Sequence, residues 1–110
     1  MPEDSAFFSA DSLPTDFLRP GTERRSLRLG DLLLMFISYQ RPTEVPLHLH
    51  SYSSVVYVDQ GEMDVTVGDQ LRRLKPGDGA IIPPAVPHKL TTLTPVARIL
   101  EAWYPMPEGE

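Results

Sequence analysis

Twelve of the 110 residues are proline, and their placement limits the fold more than any other feature of the chain. Proline lacks an N–H and has a fixed φ, so it breaks helix interiors and is tolerated in sheets only at edges, bulges and turns. Pro42, Pro46, Pro76, Pro83, Pro84, Pro87 and Pro95 cut the chain into short pieces, and no piece keeps a helical period for three turns. Between them the pattern is that of strands. Residues 32–39 (LLLMFISY) are too apolar to have a wet face, and Met63, Val65 and Val67 alternate with Asp64 and Thr66 as half-buried strands do. Further strands are expected over 25–29, 47–50, 55–58, 70–74, 80–82, 88–93 and 96–104. Gly30-Asp31, Asp59-Gln60-Gly61, Gly68-Asp69 and Lys75-Pro76-Gly77-Asp78 supply turns. About nine or ten short strands at this spacing predict an all-β sandwich or closed barrel. The length suits a single domain with one core.

Residues 1–22 read differently from the rest. They are rich in Pro, Ser, Asp and Gly, with rings at Phe7, Phe8 and Phe17. They are expected to form an N-terminal arm, with one short turn or strand at most, packed by those rings onto a domain spanning 23–110. The formal net charge of −5 argues against nucleic-acid and anionic-membrane partners, which need a basic face. Cysteine is absent, so there is no disulfide, thiolate ligand or cysteine nucleophile. The longest apolar run is far shorter than a bilayer span. The opening Met-Pro-Glu-Asp is acidic where a secretory signal is basic. A cytoplasmic protein with a small-molecule partner is the expectation.

All three histidines sit in two places. His48 and His50 form His-x-His, and His88 follows Pro83-Pro84-Ala85-Val86-Pro87. Side chains two apart on a strand share a face. Pro46, Ser54, Val56 and Val58 fall on that face if the strand continues after a short bend. Two imidazoles aimed into an apolar interior each need a polar partner. A metal ion satisfies both, and imidazole suits Zn, Fe, Ni, Cu and Mn. Taken alone, a His-x-His pair is more often a solvated strand face.

Two stretches tip that balance by resemblance. Residues 46–61 (PLHLHSYSSVVYVDQG) resemble the first motif of the cupins, and residues 77–88 (GDGAIIPPAVPH) resemble the second. The resemblance covers roughly residues 30–105. It implies a double-stranded β-helix, the jelly-roll barrel of that family, with one divalent metal ion (Zn, Fe, Ni or Mn) held by His48, His50 and His88. Two positions depart from the pattern: the usual Glu is Ser54, and the second-motif Gly is Ala85. Three neutral imidazoles leave positions open on the ion, as in a Lewis-acid site rather than a closed structural one. The layout is similar to the pectin-degradation cupins that linearise unsaturated uronates. In those, the acid and aromatic of the last strand belong to the pocket, and the matching residues here are Glu101 and Trp103.

The last strand itself points the same way. Ile99, Glu101 and Trp103 share one face by period two, and an inward Ile and Trp would carry Glu101 inside with them. A carboxylate there suits general acid–base work. The alternative is a rim pair with Arg24, Arg25 or Arg98. Tyr52, beside the first motif, is expected to line the pocket with Ser54, Val56, Val58 and Trp103, and Arg41 to reach its mouth and hold a substrate carboxylate. Together these residues suggest metal-assisted proton transfer, an isomerisation or ring opening, on a small sugar-derived or carboxylated molecule. An iron dioxygenase using the same three histidines, and a non-enzymatic sugar- or metabolite-binding module, are the alternatives. The arm either exchanges between subunits of a homodimer, as in many small cupins, or covers its own sheet edge.

Overall fold

The computed structural model describes residues 6–106; residues 1–5 of the expected arm and 107–110 of the expected domain lie outside it. Ten strands form: β1 (Thr15–Arg19), β2 (Thr22–Leu29), β3 (Leu32–Tyr39), β4 (Glu44–His48), β5 (Ser53–Gln60), β6 (Met63–Val67), β7 (Gln70–Leu74), β8 (Gly79–Ile82), β9 (His88–Thr92) and β10 (Ala97–Tyr104). Six of them pair in the order β1-β2-β3-β10-β5-β8 and four in the order β4-β9-β6-β7. Every pairing is antiparallel. The result is all-β, as the prolines and turns predict, and a jelly roll, as the resemblance implies. Among the described residues no helix is long and apolar enough to cross a membrane.

Period-two alternation decides what lies between the sheets. Met35, Ile37 and Tyr39 of β3, Val56 and Val58 of β5 and Ile99 of β10 are buried from one side. Met63 and Val65 of β6 and Leu90 of β9 close on them from the other. Each such aliphatic side chain stabilises the fold by about 1.5–3 kcal/mol when fully buried. β3, expected to lack a wet face, has no exposed residue: its outer positions are half-buried, and Phe8 lies against Phe36 with ring centroids 6.5 Å apart.

The N-terminal segment is more structured than its composition suggests. A 3-10 turn at Ala10–Ser12 leads into β1, which extends the larger sheet by pairing with β2 of the same chain. The turn between them is Pro20-Gly21, where proline presets φ and Gly21 takes φ +83°, a Pro-Gly pairing suited to a type II turn. At the other end, the Met106 N–H donates to the Asp31 carbonyl at 2.7 Å, tying the chain's end to the β2–β3 turn.

One strand is displaced from its expected place. β4 was expected over 47–50 but runs Glu44–His48, with a register irregularity between Val45 and His48. Pro46 lies inside that irregularity, which is where a residue without an N–H is accommodated. His48 therefore ends the strand and His50 lies beyond it.

Candidate metal centre

The bulged end of β4 sets His48 directly opposite His88, the first residue of β9. His50, two residues beyond the strand, folds back onto both. Ring centroids are 4.2 Å apart for His48–His88, 4.7 Å for His50–His88 and 4.9 Å for His48–His50. One ligand nitrogen from each lies within 4.8 Å of the others. His48 is exposed and His50 half-buried, yet the pair does not stand alone: the third ring arrives from 38 residues downstream to meet the first two.

The surrounding backbone sets which nitrogen each ring offers. His48 Nδ1 lies 2.8 Å from the Pro46 carbonyl and His88 Nδ1 lies 3.0 Å from the Val86 carbonyl. A carbonyl can only accept, so each Nδ1 carries the hydrogen and each Nε2 keeps its lone pair, the arrangement that orients metal-binding histidines. His50 Nδ1 is buried with no partner among the described residues, and its ring stacks on Tyr52 at 4.5 Å. Burial, aided by the neighbouring His88 and His48, holds His50 down to about 4. It is therefore a neutral ligand at neutral pH. Two oriented lone pairs and one orphaned buried nitrogen, all on imidazoles, fit a divalent transition metal.

The loop before His88 is fastened to the first motif. The Ala85 N–H donates to the His50 carbonyl at 2.7 Å, and Ala85 is held at φ +62°. A left-handed conformation explains the glycine usual at this position.

Glu101 lies in the lumen wall, opposite Val56 on β5 and Met35 on β3. Its Oε2 accepts from Ser54 Oγ at 3.0 Å and from Trp103 Nε1 at 2.8 Å. Two of the three rim arginines are engaged elsewhere, Arg24 with Asp16 at 2.6 Å and Arg25 with Glu23 at 3.2 Å, and Arg98 is exposed, three residues from Glu101 and so on the opposite face of β10. Ser54, standing where a carboxylate ligand is usual, thus directs its proton at Glu101.

A cavity of about 300 Å³ runs through the lumen, lined by His48, His50, His88, Glu101, Trp103 and Val56 among others. Trp103 and Tyr52 close its histidine end, Trp103 at 5.4 Å from His50 and Tyr52 at 4.8 Å from Trp103. Four expected lining residues are not on its wall: Tyr52 stands behind it against His50 and Trp103, Ser54 is buried behind Glu101, and Val58 and Arg41 lie further off. Val58 is fully buried in the core and does not reach the cavity, being one inward position further along β5 than Val56. Arg41 is exposed and lies against the Gly21 turn, where a glycine Cβ would come within 2.6 Å of its Nε. It precedes β4, whereas His48 ends that strand, so about 20 Å of extended chain separates the two.

Among the lining residues not singled out as part of the pocket from sequence are Arg19, Arg24 and Tyr39. Thr22, Arg24 and Ser26 alternate in the sequence, and their partners Tyr39, Ile37 and Met35 are inward-facing, so the alternation placed Arg24 on the lumen side. The Pro20-Gly21 turn was the signal for Arg19. Burial, with the Glu101 carboxylate adding to it and Arg19 opposing it, pushes the Tyr39 phenol up, so it stays protonated at neutral pH.

A small antiparallel jelly roll with three convergent imidazoles at one end of its lumen defines a class: β-barrel proteins with a histidine metal-binding group. Within that class the chain belongs to the cupin domain family, which matches residues 35–101, a span that includes all three histidines and Glu101. It is similar in fold to KdgF from Halomonas sp., with 24% identity and a TM-score of 0.85 over 94% of this chain and 96% of that one. An RmlC-like cupin from Shewanella frigidimarina has 25% identity and a TM-score of 0.83 over 94% of each chain. Oxalate decarboxylase of Bacillus subtilis, studied for its Mn(II) centres, has 20% identity and a TM-score of 0.76, over 87% of this chain but 28% of its own. No curated protein matches by sequence.

Proposed function

We propose that this cupin is a metal-dependent enzyme that moves a proton on a small sugar-derived or carboxylated molecule, as in an isomerisation or ring opening. The observation that carries the reading is a carboxylate, Glu101, on the wall of the cavity whose end is formed by His48, His50 and His88. Those histidines would hold one divalent ion. When bound, it supplies a Lewis-acid position that polarises a carbonyl or hydroxyl oxygen.

The chain's own residues do the rest. Ser54 and Trp103 both bond Oε2 of Glu101, fixing the carboxylate's plane and leaving Oε1 to take or return a proton. A positioned general base of this kind contributes about 10²–10⁴-fold to rate. Trp103 and Tyr52 screen the histidine end from water, and Met35, Val56 and Ile82 give the cavity apolar walls. The likeness to KdgF supports a uronate-related substrate. The same reading takes the molecule as a homodimer, supported by the exposed Val55, Tyr57 and Ile81 on adjoining strands of the larger sheet; light scattering after gel filtration tests it.

The test of the reaction is hydrogen exchange followed by NMR in D₂O, with keto acids, unsaturated sugar acids and neutral sugars as probes. The metal-loaded protein is expected to exchange a carbon-bound hydrogen of at least one probe. Glu101→Gln should keep its metal and lose about 10²-fold or more of that rate. A Glu101→Gln protein as fast as wild type overturns the assignment. Oxygen consumption with the same probes would instead favour the dioxygenase reading.

A further inference from the structure

Arg19 is a charged residue of the lumen that the proposed reaction does not use. It reaches the cavity because of two features of β1. The register slips between Phe17 and Arg19, so Leu18 and Arg19 both line the lumen; a bulge re-aims a side chain in this way. The Pro20-Gly21 turn then holds Arg19 opposite Thr22, level with Tyr39 and Ala97. Ala97 and Trp103 are six residues apart on β10, about 20 Å of strand. Arg19 thus enters from the end of the barrel away from Trp103 and the histidines, yet lines the same cavity as they do.

Its chemistry there is incomplete. Nη1 of Arg19 is buried and has no hydrogen-bond partner among the described residues. Of the other charged lining residues, Lys89 is exposed to solvent, and Arg24 and Glu101 are satisfied. Arg24 makes two bonds to Asp16, at 2.6 and 3.0 Å, and Glu101 accepts from Ser54 and Trp103. A buried donor on a cationic group is costly to leave unmade. The cavity that Arg19 lines offers a route for an acceptor to reach it.

We infer that Arg19 is the anion anchor of this cupin: its guanidinium binds the carboxylate of a small acid held in the cavity that Glu101 and the three histidines also line. A planar fork of N–H donors matches a carboxylate. One unpaired guanidinium among largely apolar walls suits a single negative charge better than a phosphate dianion, which needs more donors. The expected role of Arg41 therefore falls to Arg19, supplied by the N-terminal hairpin. This narrows the proposed substrate to acids and rests on that reading for the identity of the rest of the molecule only.

Calorimetry on the metal-loaded full chain tests it, with D-galacturonate and D-galactose as a pair differing in one carboxylate, and with pyruvate and hydroxyacetone as a smaller pair. Wild type is expected to bind at least one acid about tenfold or more tighter than its neutral counterpart. Arg19→Gln should erase that gap while keeping the metal content and a melting temperature within about 2 °C. Arg19→Lys should restore part of the gap, and serves alone if the Gln variant does not fold. Absence of any acid preference in wild type, or its persistence in Arg19→Gln, overturns the assignment. A Glu101→Gln protein that turns over normally would sink the proton-transfer reading and leave the acid preference untouched, so the two failures are separable.

Discussion

A second carboxylate at position 54 would stand beside Glu101, since Ser54 Oγ is 3.0 Å from Glu101 Oε2. Serine there converts a like-charge contact into a hydrogen bond, and frees the carboxylate that remains to serve the lumen. Ser54→Ala removes that bond and is expected to cost about 1 kcal/mol in chemical denaturation. Elemental analysis should find its metal content unchanged, because the serine proton goes to Glu101 and not to the ion. Ala85 gives a prediction of opposite sign. Its left-handed φ of +62° costs about 1–2 kcal/mol for a residue with a Cβ, and glycine returns about 0.5–1 kcal/mol of that as unfolded-state entropy. Ala85→Gly should therefore stabilise by about 0.5–1 kcal/mol, read as a rise in melting temperature. At this scale the three histidines were legible because ligand spacing is written in the sequence. Arg19 was not, because its inward aim depends on a bulge that periodicity does not register.

At the scale of elements, turns were easier to read than strand ends. Glycine at the β5–β6 turn is enforced by contact: Gly61 sits at φ +81°, and a Cβ there would meet the Val96 carbonyl at 2.6 Å and the Ala97 Cα at 2.9 Å. Both are backbone atoms and cannot step aside. Gly61→Ala is expected to destabilise by about 2 kcal/mol or more, checked by urea unfolding. The β4 strand shows the limit of pattern reading. Its residues 44–50 contain Val45, Leu47 and Leu49, an alternation that continues past the true end at His48. Pro46 breaks the ladder one turn of the pleat earlier than the alternation suggests, and so moves His50 off the strand and onto the other two rings. The β1–β2 hairpin was hidden for another reason: β1 is exposed at four of its five positions, so it carries little hydrophobic signal to announce a strand.

The molecule as a whole places its functional parts at the ends of strands and its core between them. Six strands against four leave a lumen whose middle is walled by Met35, Val56, Val65 and Leu90. One end holds imidazoles and the other a guanidinium. The all-β architecture was legible because prolines, turns and alternation all agree on it, and the jelly roll through the two motifs, whereas the cavity arises from packing between distant strands. An ion joining β4, the following loop and β9 links segments far apart in the chain, and a ligand that binds only the folded state stabilises it by mass action. At a hundredfold excess over Kd the gain is about 2.7 kcal/mol. Chelation should accordingly lower the melting temperature by several degrees, and readdition of the metal should restore it. The most direct measurement is elemental analysis of the purified full chain beside His88→Ala after equal exposure to divalent metal. The account predicts about one ion per chain in the wild type and near none in the variant; a wild type without metal, or a variant loaded equally, would contradict it.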